Sequence, residues 1–186
     1  INMKNILLNS EPSIIGVFDS GLGGLTILNQ LKIDYPNNQF LYFGDTAHLP
    51  YGTKSKKSII KFSNQIVDFL ISKGATIIIV ACHSASSVAL DYLNNKYNIP
   101  IIGVITSSIH QAINKTSTKT IGVLGTHTTV TSKSYSNKII TMNNQIITHE
   151  IACPLFVPIV EEGLENNEIA ILVAKLYLKN IHNMNI

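Results

Sequence analysis

Arginine is missing from this chain of 186 residues; all 14 of its basic residues are lysine. Asparagine and isoleucine are plentiful, so the missing arginine fits codon bias in an AT-rich genome better than a chemical requirement. Charge is scarce: 13% of residues are charged and the net charge is +3. The lysines are scattered and form no basic run with interleaved aromatics, which argues against nucleic acid as a partner. Long apolar runs are lacking too. None approaches the ~18 residues of a membrane span, so no membrane partner is expected. Near the N-terminus the apolar run Ile6-Leu7-Leu8 is too short for the ~7–15-residue core of a secretory signal. Cysteine is reduced to Cys82 and Cys153, too few for a disulfide framework or a zinc site. The expectation is a reduced, soluble, cytoplasmic protein. The chain opens on Ile1, which makes Met3 a candidate start. Hydrophobic residues, at 45%, supply a core and exclude intrinsic disorder. The length suits about one to one and a half domains.

Strand-like runs recur, each followed by a polar or glycine-rich turn and then a helical pattern. Residues 14–18 read as a strand ending in Asp19-Ser20-Gly21-Leu22-Gly23-Gly24, with an amphipathic helix over 25–33. Residues 40–43 form the next strand, ending in Gly44-Asp45, and 46–53 a loop. A helix follows over 58–72. The β-branched run 76–81 has the pattern of a strand buried on both faces. After Cys82-His83-Ser84 a helix runs to about 97, and 100–105 reads as a short strand. The pattern then restarts: 120–126 echoes 14–20, 128–140 reads as a helix, 145–150 as a strand, 154–160 as extended and 165–179 as a helix.

Strands alternating with helices of this length imply right-handed βαβ units and a parallel sheet. The fold class is therefore α/β, with two similar lobes of parallel sheet and flanking helices. The lobes are expected at 13–105 and 118–186, with 114–119 the softest stretch. The second lobe ends on a helix where a further strand is wanted, so it is expected to be incomplete. Ligands of such sheets sit at the carboxyl ends of the strands. Asp19-Ser20, Asp45 and Cys82-His83-Ser84 all fall there.

Each candidate has a plainer reading. Cys82 stands before a helix start, where unpaired N–H groups favour a thiolate; a free cysteine is more often a small buried hydrophobe. The Asp19-to-Gly24 turn can cradle an anion on its N–H groups, although glycine there also serves turn geometry. It is neither a P-loop nor a dinucleotide fingerprint. Pro50-Tyr51-Gly52 reads by default as a surface turn. Glu161-Glu162 reads as a solvated helix start. Glu150, His110, His127, His149 and His182 lack metal-binding spacing and read as ordinary polar residues. Cys153, in an apolar setting, reads as an inert buried thiol.

Taken together, Ile15-Gly16-Val17-Phe18-Asp19-Ser20-Gly21-Leu22-Gly23-Gly24-Leu25-Thr26 and Tyr42-Phe43-Gly44-Asp45-Thr46-Ala47-His48-Leu49-Pro50-Tyr51-Gly52 resemble the glutamate racemases of the aspartate/glutamate racemase superfamily. So do Val80-Ala81-Cys82-His83-Ser84-Ala85-Ser86, Ile121-Gly122-Val123 with Gly125-Thr126, and Ala152-Cys153-Pro154-Leu155-Phe156-Val157-Pro158. The resemblance implies a cofactor-independent isomerase that interconverts L- and D-glutamate for peptidoglycan precursors, and hence for cell-wall biogenesis and cell shape. Two cysteines on opposite sides of the substrate Cα carry the chemistry. One thiolate removes the α-proton and the other thiol returns one from the far side; a single base gives exchange without inversion. By position Cys82 is the first thiol, with Asp19 beside it as a helper in proton transfer. Because a carboxylate raises a thiol pKa, the helix end and other donors must offset Asp19. The resemblance implies substrate contacts at Asp19, Ser20, Pro50, Tyr51, Gly52, His83, Ser84 and Thr126. It matches Glu161 to an acidic position near the second half of the site.

Two departures stand out. The family usually has Asn-Thr after the first cysteine, where this chain has His83-Ser84, and His83 is bulkier and can be cationic. The family's second cysteine lies in a Gly-Cys-Thr-His segment that these 186 residues do not contain, and Cys153 matches a different family position. The expectation is therefore a chain truncated before its second thiol and inactive in racemisation alone. Alternatives are an aspartate-racemase-like enzyme, a non-catalytic glutamate-binding or dimerising remnant, or an unstable remnant. The partner expected is glutamate, and a homodimer is left open.

Overall fold

The computed structural model describes residues 13–179, 181 and 186. Met3, the run Ile6-Leu7-Leu8 and His182 lie outside the described residues. The chain divides into two compact units. The first runs to Tyr51 and resumes over Ser55–Val104, and the second holds Gly52–Lys54 and the chain from Ile105.

The first unit contains β1 (Ile14–Asp19), α1 (Leu25–Asp34), β2 (Gln39–Gly44), α2 (Lys56–Ser72), β3 (Ile77–Val80), α3 (His83–Val88), α4 (Leu90–Lys96) and β4 (Ile101–Gly103). Its strands form one parallel sheet in the order β2-β1-β3-β4. Period-2 alternation sends neighbouring side chains to opposite faces. Ile15, Val17, Ile77 and Ile79 pack with Leu28 and Leu31 of α1. Phe18, Ile78 and Val80 pack with Ile59, Ile66, Val67 and Leu70 of α2 and with Leu93 of α4. Burying each such side chain stabilises the fold by about 1.5–3 kcal/mol. Both faces are covered, which explains the unbroken apolar run of β3.

Local signals set the ends of α2. Ser55 accepts a hydrogen bond from the Ser58 N–H at 3.1 Å, which caps the first turn. At the other end Gly74 takes φ +92, a left-handed turn that lets the Ala75 N–H return to the Leu70 carbonyl at 3.0 Å. In the sheet, Asp19 lies opposite Gly44 and Phe18 opposite Val80. The carboxyl ends of β1, β2 and β3 are therefore level. The connection leaves β1 toward β2 and then returns to β3 on its other side. That reversal is the switch point where ligands of open α/β sheets bind.

The second unit contains α5 (Ile105–Lys115), β5 (Thr120–Gly125), α6 (His127–Ser132), α7 (Ser134–Met142), β6 (Ile147–Ala152), α8 (Phe156–Glu161) and α9 (Glu168–Leu178). β5 and β6 pair in parallel. Ile105, Ile109, Ile121, Val123, Ile139 and Ile146 form its core.

Five sequence expectations are corrected here. Ile105 opens α5 rather than closing a strand, and α5 itself was not foreseen. The helix expected to run from Cys82-His83-Ser84 to about 97 is two helices that meet at Ala89. The helix expected over 128–140 breaks at Lys133, which stands at φ +56. The segment 154–160 is not extended, because Phe156–Glu161 is α8. Pro158 sits in the first turn of α8, where its missing N–H has no intrahelical partner to lose. Glu161 thus ends a helix rather than starting one. Among the described residues no helix is long and apolar enough to cross a membrane.

Candidate active site

The first unit gathers Asp19, Ser20, Tyr51 and Cys82 around the carboxyl ends of β1, β2 and β3. Asp19 is 8% exposed. Its Oδ2 accepts hydrogen bonds from the Gly21 N–H at 3.1 Å and the Gly24 N–H at 3.2 Å. The glycine at 24 is required by proximity, since a Cβ there would stand 2.6 Å from the Asp19 Cβ and 3.1 Å from the Ala81 Cβ. The turn thus folds over its own carboxylate and spends these N–H groups on it. The Tyr42 hydroxyl donates to the Gly21 carbonyl at 2.8 Å and holds the turn from β2.

Cys82, 4% exposed, is the N-cap of α3. Its Sγ accepts from the Ala85 N–H at 3.4 Å, and its S–H lies 3.6 Å from the Ser20 Oγ, to which it donates. Burial pushes the thiol up to about 11, and the negative charge of Asp19 adds to the push. The Ala85 N–H and Ser20 pull the other way without cancelling it. The helix end was expected to favour a thiolate and to offset Asp19, but desolvation and the carboxylate outweigh it. Near neutral pH Cys82 is therefore a thiol.

Tyr51 is 1% exposed and shares a core cluster with Cys82. Its hydroxyl donates to the Asp45 Oδ2 at 2.6 Å. Burial first, then Asp45, push its pKa up, so the phenol stays protonated. Cys82 and Asp19 push in the same direction from farther off. The Leu49-Pro50 peptide bond, just before Tyr51, is cis. His83 is exposed, yet the protein atoms crowding its ring lower its pKa against the opposing pull of Asp19. Its expected capacity for positive charge is thereby reduced. Ser84 is buried at 4% exposure in the first turn of α3.

The remaining expected residues stand in the second unit. Gly52 and Thr126 meet there: a Cβ on Gly52 would lie 2.5 Å from the Thr126 Cβ, and the Thr128 hydroxyl donates to the Gly52 carbonyl at 3.1 Å. The Thr126 hydroxyl caps α6 by accepting from the Thr129 N–H at 3.3 Å. Glu161, half-buried, is the last residue of α8. Cys153 is 1% exposed, and burial raises its thiol pKa.

Sequence reasoning missed two acidic residues. Asp45 was noticed only as a strand end, yet it is buried and takes the Tyr51 hydroxyl. Glu150 was read as ordinary, yet its side chain is 2% exposed, with Lys133 Nζ 3.0 Å from Oε2 and the Ser136 N–H donating to Oε1 at 3.1 Å. Its place within β6 was the available signal. Among the described residues no group of three or more His, Cys, Asp or Glu is placed to hold a metal ion.

Comparison with known proteins gives consistent matches. Residues 28–177 match the family model described as Asp/Glu/Hydantoin racemase. A glutamate racemase of Aquifex aeolicus is 42% identical over 166 residues, which cover 89% of this chain and 65% of that protein. The crystal structure of glutamate racemase from Francisella tularensis in complex with D-glutamate matches with a TM-score of 0.88 and 42% identity, over 94% of this chain and 66% of that one. A glutamate racemase isoform from Bacillus anthracis matches with a TM-score of 0.89 and 32% identity, over 94% of this chain and 65% of that one. The chain thus spans about two thirds of the length of these relatives.

Proposed function

The chain belongs to the Asp/Glu/hydantoin racemase family, and from this premise we propose that it carries one proton-transfer half of a cofactor-independent glutamate racemase, with Cys82 as the acid/base. The observation that carries the reading is the buried Cys82 thiol at the sheet's switch point, held by Ser20 and the Ala85 N–H beside the Asp19 carboxylate. The α-hydrogen of an amino acid is a weak acid, so its removal calls for a strong base. A thiolate whose conjugate acid titrates near 11 is a stronger base than an ordinary cysteine thiolate. The same pKa makes the thiol, in the reverse direction, a resting acid that gives its proton to the Cα carbanion.

Asp19 supports this reading in two ways. Its charge raises the basicity of the thiolate. It also offers a partner for the α-ammonium group of the substrate, and neutralisation of Asp19 by that cation eases ionisation of Cys82 once the ligand is bound. Ser20, Pro50, Tyr51, His83 and Ser84 are the further substrate-contacting residues in the first unit. Glutamate as substrate, D-glutamate supply to peptidoglycan, cytoplasmic location and assembly as a homodimer all belong to the proposal.

The test is amino-acid turnover in deuterium oxide. Incubated with L- or D-glutamate, the 186-residue chain should exchange the α-hydrogen of one enantiomer for deuterium, and should do so far more slowly with aspartate. Equal or faster exchange of aspartate would reassign the substrate. Steady conversion of L- to D-glutamate would mean that a second acid/base stands within these residues.

A further inference from the structure

Asp45 ties three parts of the first unit together. Its backbone N–H donates to the Asp19 carbonyl at 2.9 Å, the bond that sets the end of β2 beside the end of β1. Its Oδ2 accepts the buried Tyr51 hydroxyl at 2.6 Å. His48 Nδ1 lies 2.8 Å from Oδ1 and 3.0 Å from Oδ2, an arrangement that requires the proton on Nδ1. The His48 ring stacks on Phe62 of α2 with ring centroids 4.0 Å apart, and the His48 N–H returns to the Asp45 carbonyl at 3.1 Å. One carboxylate thus ties the 46–50 loop twice, at its middle through the ring at 48 and just past its end through the phenol at 51.

We propose that Asp45 is a positioning residue for amino-acid binding, which holds the Pro50-Tyr51 segment at the sheet's carboxyl edge through the Tyr51 hydroxyl while His48 locks the carboxylate's orientation. It rests on the glutamate reading above. A carboxylate 6% exposed is costly to bury without donors, and Tyr51 and His48 supply them. A phenol 1% exposed equally needs an acceptor. Each group therefore enforces the place of the other.

The experiment is calorimetric titration of the full chain with L- and D-glutamate, together with α-hydrogen exchange rates at rising glutamate concentration. Asp45→Ala and Tyr51→Phe should each weaken binding about tenfold, the size of one lost charge-assisted hydrogen bond. The exchange rate at saturation should change much less, because the thiol is untouched. The double variant should bind no more weakly than either single one, since both remove the same bond. Asp45→Asn keeps an acceptor oxygen and should recover part of the affinity, which also serves if Asp45→Ala does not fold. Wild-type affinity in Asp45→Ala, or fully additive losses in the double variant, would overturn the role of Asp45 alone. If the unaltered chain binds neither enantiomer, the glutamate reading fails and this role fails with it.

Discussion

The Cys82 Sγ lies 3.6 Å from the Ser20 Oγ, so the end of β3 and the end of β1 meet through a thiol and a hydroxyl. Ser20 is one of the groups that pull the Cys82 pKa down against burial and Asp19. Removing it in Ser20→Ala should raise the thiol pKa further. Iodoacetamide alkylation followed across pH should slow at every pH below about 11, and an unchanged rate profile would show that the contact has no electrostatic weight.

Asp19→Asn tests the opposite sign. Asparagine keeps a side-chain oxygen for the Gly21 and Gly24 N–H groups and removes the charge that raises the thiol pKa. The midpoint of thiolate absorbance for Cys82 should fall, and alkylation near neutral pH should quicken, by up to about tenfold for each unit of pKa. A rise in the midpoint would mean that the carboxylate does not act on this sulfur as described.

The raised pKa also fixes a direction for stability. Burial and Asp19 push the Cys82 thiol from its ordinary value of 9.0 up to about 11, so the folded state holds its proton longer. The stabilisation is complete below pH 9 and is lost as pH rises through 11, by about 3 kcal/mol over the window. Tyr51, also shifted upward, extends the loss to higher pH. Urea titrations between pH 8 and 11 should show falling stability, with a shallower slope in Cys82→Ser. Equal slopes in the two proteins would contradict the burial of the thiol.

At Lys133 and Glu150 the two partners are unequally exposed, 59% against 2%. Lys133→Met leaves a buried carboxylate without its cation and should cost about 2–3 kcal/mol in urea unfolding. Glu150→Gln keeps an acceptor for the Ser136 N–H and should cost about 1 kcal/mol. Reversal of that order would show the pair to be a solvated surface contact.

Much of this was readable from residue order. Alternation and β-branching mark β1, β2 and β3, and the strand-end rule points to Asp19 and Cys82 from residue order alone. The motifs brought Tyr51 into the same set. What stayed hidden depended on tertiary context. Helix α5 carries Ile105 and Ile109 one turn apart, but the apolar run at 100–105 drew Ile105 into a strand. Pro158 made α8 look extended, although a first-turn proline is compatible with a helix. No glycine marks the break at Lys133, where a lysine adopts the left-handed conformation. The raised thiol pKa is hidden because a helix end is visible in sequence, whereas burial to 4% exposure is not.

The most direct measurement compares α-hydrogen exchange in deuterium oxide for the unaltered chain and for Cys82→Ala and Cys82→Ser, with glutamate binding measured alongside. Exchange should vanish in both variants, by at least about a hundredfold, while glutamate still binds. Exchange that persists at the unaltered rate without the Cys82 sulfur would contradict the assignment of this thiol as the group that moves the proton.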